Sequence, residues 1–195
     1  MPNAIDVLLV LAFAVLLPMW SHFILWPRHE RAVDAGYALP VVYAVLVLVQ
    51  ARAIASKPAA LAKLRAKWQP LRALIPHTPG EYRLFALLSI TAGFCEEFLF
   101  RGYLVWVLQL VMGLIPAAIV SMVLFGLAHG YQGGKFGFRA AMAGVAMGVL
   151  ALVTRSLLPS MLLHAVMDLG GGWVTYMAMS RGEEPTRVPN GAAAA

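Results

Sequence analysis

Six ionisable side chains stand where the chain is otherwise apolar: Glu96, Glu97, Arg101, His129, His164 and Asp168. The first three lie in GFCEEFLFRG, residues 93–102, between the uncharged runs LFALLSITA and YLVWVLQLVMGL. A charge near the centre of a bilayer costs roughly 2.5–3.5 kcal/mol. Four unpaired formal charges would therefore cost on the order of 10–14 kcal/mol, comparable with the stability of a whole domain. These groups must pair with one another or face a polar cavity.

Helical spacing sorts them. Glu97 and Arg101 are four residues apart and share a face, so Arg101 is expected to neutralise Glu97 as a structural pair. Glu96 is rotated by about 100° from Glu97. It has no partner on its own helix, which makes it the first candidate for chemistry. FGLAHG puts Phe125 and His129 on one face, and LLHAVMDL does the same for His164 and Asp168. Asp168 is expected to accept a proton from a ring nitrogen of His164 and fix its tautomer.

A carboxylate and an imidazole can hold and deprotonate one water as general bases. A second imidazole with a protonated acid can donate to a developing oxyanion. Together they amount to peptide hydrolysis by activated water, with no covalent nucleophile. Ser89 and Ser121 lie elsewhere in their spans, which disfavours a serine mechanism. The reading needs no cofactor. Its alternative is zinc, with Glu96, His129 and His164 as three ligands and an open fourth position, although HExxH is absent. Gly126, Gly130 and the loop GYQGGKFG are expected to leave room for the cavity.

The elements that must position these groups follow from composition. The chain is 61% hydrophobic and 12% charged over 195 residues, with mean hydropathy +0.77. Soluble domains are nearer 45–50% and about 25%. At ~20 apolar residues per span, the length accommodates about six transmembrane helices and no sizeable soluble domain. The expected spans are 4–26, 36–51, 84–112, 115–129, 139–154 and 157–179. The predicted fold is all-α, a polytopic membrane helical bundle with an inward-facing polar cavity. It forms a single domain over 1–179, followed by a polar tail at 180–195 expected to be disordered. No Lys or Arg precedes the first apolar run, so that run reads as a retained span, not a signal peptide. Pro18 is expected to kink it, with Trp20 and Trp26 at the interface. Pro116 and Pro159 fall near helix starts. Ala140, Gly144 and Gly148 recur every four residues and read as a close-packing stripe.

The net charge of +6 does not point to nucleic acid. Its basic residues border the spans, where topology signals and anionic headgroups act. The segment 52–83 carries Arg52, Lys57, Lys63, Arg65, Lys67, Arg72 and Arg83 against Glu81 alone. The positive-inside rule makes it cytoplasmic and puts both termini inside. Within it, residues 57–76 read as an amphipathic helix on the inner membrane surface or as a solvated basic loop. The single Cys95 excludes an internal disulfide and reads as packing.

At this point three segments resemble a known family. EEFLFR, Glu96 to Arg101, is similar to the EExxxR motif of the CAAX prenyl protease and bacteriocin-processing family, also called the Abi family. FGLAH, Phe125 to His129, matches its FxxxH motif, and HAVMD, His164 to Asp168, its HxxxN/D motif. Order and spacing agree over about 83–176. The resemblance implies an intramembrane endopeptidase acting on a peptide or a prenylated protein, in a prokaryotic cytoplasmic membrane. It implies that Glu96 and His129 activate water, that His164 and Asp168 form the oxyanion site, and that Glu97, Arg101 and Phe125 support them. The eukaryotic branch has Asn where this chain has Asp168. An ionised Asp cannot donate, so Asp168 is either kept neutral by burial or only orients His164. Two other readings stand beside the protease: a non-catalytic binding or bacteriocin-immunity protein of the same family, and a proton or ion carrier.

Overall fold

The computed structural model describes residues 30–180. The expected span 4–26, with Pro18, Trp20 and Trp26, and the polar tail lie outside the described residues. The chain runs through α1 (Glu30–Ala55), α2 (Pro58–Trp68), a 3-10 turn (Gln69–Leu74), α3 (Pro79–Glu97), a π-helical stretch (Phe98–Leu104) and α4 (Val105–Met112). It continues through α5 (Leu114–Ala128), a second 3-10 turn (Gly130–Gln132), α6 (Gly134–Thr154) and α7 (Leu158–Ser180). Every element among the described residues is helical, so the fold is an all-α bundle.

Each helix has local reasons for its ends. Thr78 and Glu81 form a capping box at the start of α3: Thr78 Oγ1 accepts the Glu81 N–H at 3.2 Å, and Glu81 Oε2 accepts the Thr78 N–H at 3.3 Å. The His77 N–H also bonds Glu81 Oε2 at 2.7 Å and helps hold that carboxyl below its ordinary pKa. Gly113, at φ 80°, separates α4 from α5; a side chain at that φ would be strained.

Among the described residues, three stretches are long and apolar enough to cross a membrane: Asp34–Ala55, Leu114–Gln132 and Gly134–Thr154. Their outward faces carry Val41, Leu46, Val49, Ile119, Val123, Val149 and Val153, all exposed on the bundle. Such a surface suits lipid. The span expected as one α-helix over 84–112 is instead interrupted by the π-helical stretch, a widening that periodicity of apolar residues does not reveal. Residues 58–68 are helical and docked, which decides against the solvated loop. Leu61 is buried, Trp68 lies 4.7 Å from the Phe136 ring, and Arg65 Nε donates to the Ala178 carbonyl at 3.1 Å. That carbonyl belongs to the last turn of α7, where cations are favoured.

α7 packs along both α3 and α1 and is the centre of the bundle, while α5 lies between α4 and α6. The crossing of α3 with α7 is backbone-close. A Cβ on Gly93 would come within 2.7 Å of the Ala165 amide nitrogen. Gly126 does not open a cavity as expected: a Cβ there would meet Ala141 Cβ at 2.9 Å, so this glycine brings α5 and α6 together. Gly130 does border open space. Substituting Gly93→Ala is expected to force α3 and α7 apart and cost about 1–3 kcal/mol. A lower thermal midpoint of the purified protein in detergent would register it, and an unchanged midpoint would contradict the close crossing.

Candidate active site

Glu96 and Glu97 are the last two residues of α3, and the wide π-helical turn begins immediately after them. A π turn leaves backbone groups out of the regular i→i−4 ladder and frequently marks a functional site. Here the Phe100 carbonyl accepts the Ser121 hydroxyl of α5 at 2.5 Å. That bond ties the widened turn to the helix carrying His129.

Glu97 is completely buried. Its Oε1 accepts Arg101 Nη1 at 2.9 Å and His164 Nδ1 at 2.9 Å. Arg101 spends its other terminal nitrogen on the Gly144 carbonyl at 2.6 Å and lies 4.1 Å from the centre of the Phe125 ring. Gly144 is therefore more than part of a packing stripe. A Cβ there would overlap the Phe125 ring and press on Arg101 Nη2 at 3.1 Å, so glycine lets the ring and the guanidinium pack together against α6. The pairing is incomplete: Glu97 Oε2 and Arg101 Nε are buried with no hydrogen-bond partner among the described residues, so the charges are neutralised but not every polar atom is satisfied.

Phe125 holds His129 twice. Its ring stacks on the imidazole at 4.3 Å between centroids, and its carbonyl lies 2.9 Å from His129 Nδ1. A carbonyl only accepts, so Nδ1 is the donor and Nε2 is left facing the site. His129 Nε2 lies 3.6 Å from Glu96 Oε2, and His164 Nε2 lies 3.9 Å from the same oxygen. Both gaps exceed a hydrogen bond. Glu96 Oε2 is itself buried and has no direct hydrogen-bond partner among the described residues. The Glu96 side chain as a whole is 33% exposed, so the group is reached from one side.

The structure thus brings Glu96, His129 and His164 around one point, with Glu97, Arg101 and Phe125 beneath them. Asp168 is the exception. Its Oδ2 is 3.7 Å from His164 Nε2, beyond hydrogen-bonding range, and its side chain is 42% exposed. The expected contact that fixes the His164 tautomer is made by Glu97, at Nδ1, and not by Asp168. The physical reason is the close crossing at Gly93 and Ala165. It brings His164 against the turn of α3 that follows Gly93, where Glu97 lies.

Zinc would need a tighter arrangement. Tetrahedral ligands at bond lengths of about 2.0–2.1 Å are roughly 3.3 Å apart, against the 3.6 and 3.9 Å measured from Glu96 Oε2. Among the described residues no three His, Cys, Asp or Glu side chains stand in metal-holding geometry. These side chains would have to close inward to hold the ion.

Fold and site together define a helical membrane protein with a carboxylate–imidazole centre at the π turn of its third described helix. Residues 78–170, which carry every one of these side chains, match the family model described as type II CAAX prenyl endopeptidase Rce1-like. This segment resembles that protease family. No curated protein and no solved structure matches it.

The pairing of Glu97 with Arg101 makes a direct prediction. Arg101→Leu leaves a buried carboxylate with only His164 and is expected to cost about 3–5 kcal/mol. Adding Glu97→Gln removes the stranded charge and is expected to recover part of that loss. Thermal unfolding of the two variants in detergent measures the difference. Equal midpoints would mean that the ion pair is not what holds this turn.

Proposed function

We propose that the protein is an intramembrane endopeptidase that hydrolyses a membrane-proximal or lipid-modified peptide with a water activated by Glu96 and His129. The observation that carries this reading is the pair of facing atoms, Glu96 Oε2 and His129 Nε2, 3.6 Å apart. Because His129 Nδ1 donates to the Phe125 carbonyl, both facing atoms are acceptors in the neutral imidazole. A water molecule between two such acceptors can supply one hydrogen to each.

The reaction follows from that placement. Glu96 takes one proton from the water, and the oxygen's electron pair forms the bond to the scissile carbonyl carbon. The carbonyl π electrons move onto oxygen, which becomes negative. His164 Nε2, on the far side of Glu96 Oε2, donates to that oxygen. Collapse of the intermediate breaks the C–N bond, and the proton held by Glu96 passes to the leaving nitrogen. Asp168 is outside this chemistry and lines the open side. The resemblance of residues 78–170 to the protease family and the apolar exterior support a substrate that is itself in or at the membrane.

The test is cleavage in reconstituted liposomes, against peptides that include farnesylated CAAX and leader-type sequences. Wild type is expected to cleave at least one of them. Glu96→Gln and His129→Ala are expected to lower the rate by 10²-fold or more, since general base catalysis contributes about 10²–10⁴-fold. A chelator is expected to leave the wild-type rate unchanged. Loss of activity with chelator and its return with zinc would give Glu96, His129 and His164 a metal-binding role instead. Undiminished cleavage by Glu96→Gln would overturn the mechanism.

A further inference from the structure

A hydroxyl inside a helix has a ready acceptor, the carbonyl one turn earlier in its own helix. Ser89, Thr91, Thr154 and Thr175 all use it, each donating to the carbonyl four residues before. Ser121 does not. It is buried on α5, and its hydroxyl crosses to the Phe100 carbonyl, 21 residues away in sequence, at 2.5 Å. That carbonyl belongs to the π-helical stretch, which begins directly after Glu96 and Glu97.

We propose that Ser121 is a positioning residue: its bond to the widened turn sets the register of α5 against α3 and so holds His129 opposite Glu96. This inference rests on the endopeptidase reading. Ser121, Phe125 and His129 are spaced by four, so they line one face of α5 and its C-terminal cap. Each meets the facing segment on a successive turn. Ser121 bonds the Phe100 carbonyl. The Phe125 ring stands edge-on to the Phe100 ring at 5.1 Å, with the Arg101 guanidinium over its face. His129 Nε2 lies 3.6 Å from Glu96 Oε2. As α5 advances from 121 to 129, its partners step back from 100 to 96, so the two segments run antiparallel.

Of these three contacts, the hydroxyl bond is the short and directional one. Aromatic pairs are favourable over a range of centroid distances, about 4.5–7 Å, and the gap from His129 to Glu96 is too long for a direct bond. In lipid the apolar side chains give helices no hydrophobic drive toward one another, so polar links carry more of the choice of register. A slip of α5 by one turn would move His129 about 5.4 Å along the axis, out of reach of Glu96. Ser121 therefore builds a site whose chemistry it does not join.

The experiment separates the hydroxyl from its volume. Thr and Val have the same shape, and only Thr can donate. A cavity of about 20 Å³ beside Ser121, bordered by Ala118, Met122 and Gly148, gives either side chain room. Ser121→Thr and Ser121→Val are prepared in lipid nanodiscs with ¹³C-carbonyl phenylalanine and ¹⁵N-arginine. Selecting Phe–Arg pairs leaves Phe100 and Phe138, and Arg139→Lys removes the second. Ser121→Val is expected to shift the Phe100 carbonyl signal. It is expected to lower kcat about 10–100-fold with KM little changed, since a misplacement of about 1 Å can cost 10²-fold. Ser121→Thr is expected to keep both near wild type. A purely structural role would lower the thermal midpoint and leave kcat per folded molecule as it is. Ser121→Val with the wild-type carbonyl signal or the wild-type kcat would overturn the proposal. So would equal behaviour of the two variants, folded or not, because volume and not the hydroxyl would then be at work. A wild type that cleaves no peptide would overturn the endopeptidase reading, while the carbonyl signals would still decide whether Ser121 holds the π turn.

Discussion

The constraint on which the rest of this molecule depends is one fully buried carboxylate. Glu97 has no access to solvent, and a bare charge there would be untenable in a membrane. Its oxygen is answered by a guanidinium from its own helix and an imidazole from α7. The guanidinium must then be answered as well, and the Gly144 carbonyl on α6 and the Phe125 ring on α5 do so. One carboxylate thereby sets the mutual positions of four helices. The two histidines are fixed as by-products of that arrangement, His164 by the acid and His129 by Phe125.

Backbone proximity makes this arrangement possible. Without a hydrophobic drive between helices in lipid, close packing comes from small residues and polar links. Gly93 lets α7 reach α3, Gly126 lets α6 reach α5, and Gly144 lets the Phe125 ring and the guanidinium pack against α6. The π-helical stretch completes the geometry by opening the turn after Glu97, and Ser121 takes up a carbonyl there. The ionisable side chains of the site therefore gather around one point, and the outward faces of the long apolar helices carry exposed apolar residues.

The same architecture separates two neighbouring acids by function. Glu97 is inward, saturated with donors on one oxygen and shielded. Glu96 is one residue earlier, reached from one side, and its buried oxygen has only the two distant imidazole nitrogens for company. Two identical side chains acquire different chemistry because the helix turns by about 100° between them.

Much of this was legible in the residues. Helical periods and apolar runs located α1, α5, α6 and α7 to within about six residues and read α3, the π-helical stretch and α4 as one span. The spacing of Glu97 and Arg101 foretold their ion pair, because four residues make one helical turn. The lack of any partner for Glu96 on its own helix was equally readable. Other features depend on contacts between helices, and no local pattern encodes those. Spacing made Asp168 the obvious partner of His164; the crossing at Gly93 put Glu97 at its Nδ1 instead. The Gly144 carbonyl under Arg101 is 43 residues away in sequence and was visible only as part of a small-residue stripe. The residue types and their helical faces belong to the sequence because they follow from a fixed rise and twist per residue. Which face meets which was decided by the tertiary structure, because only packing determines the atom opposite a buried charge.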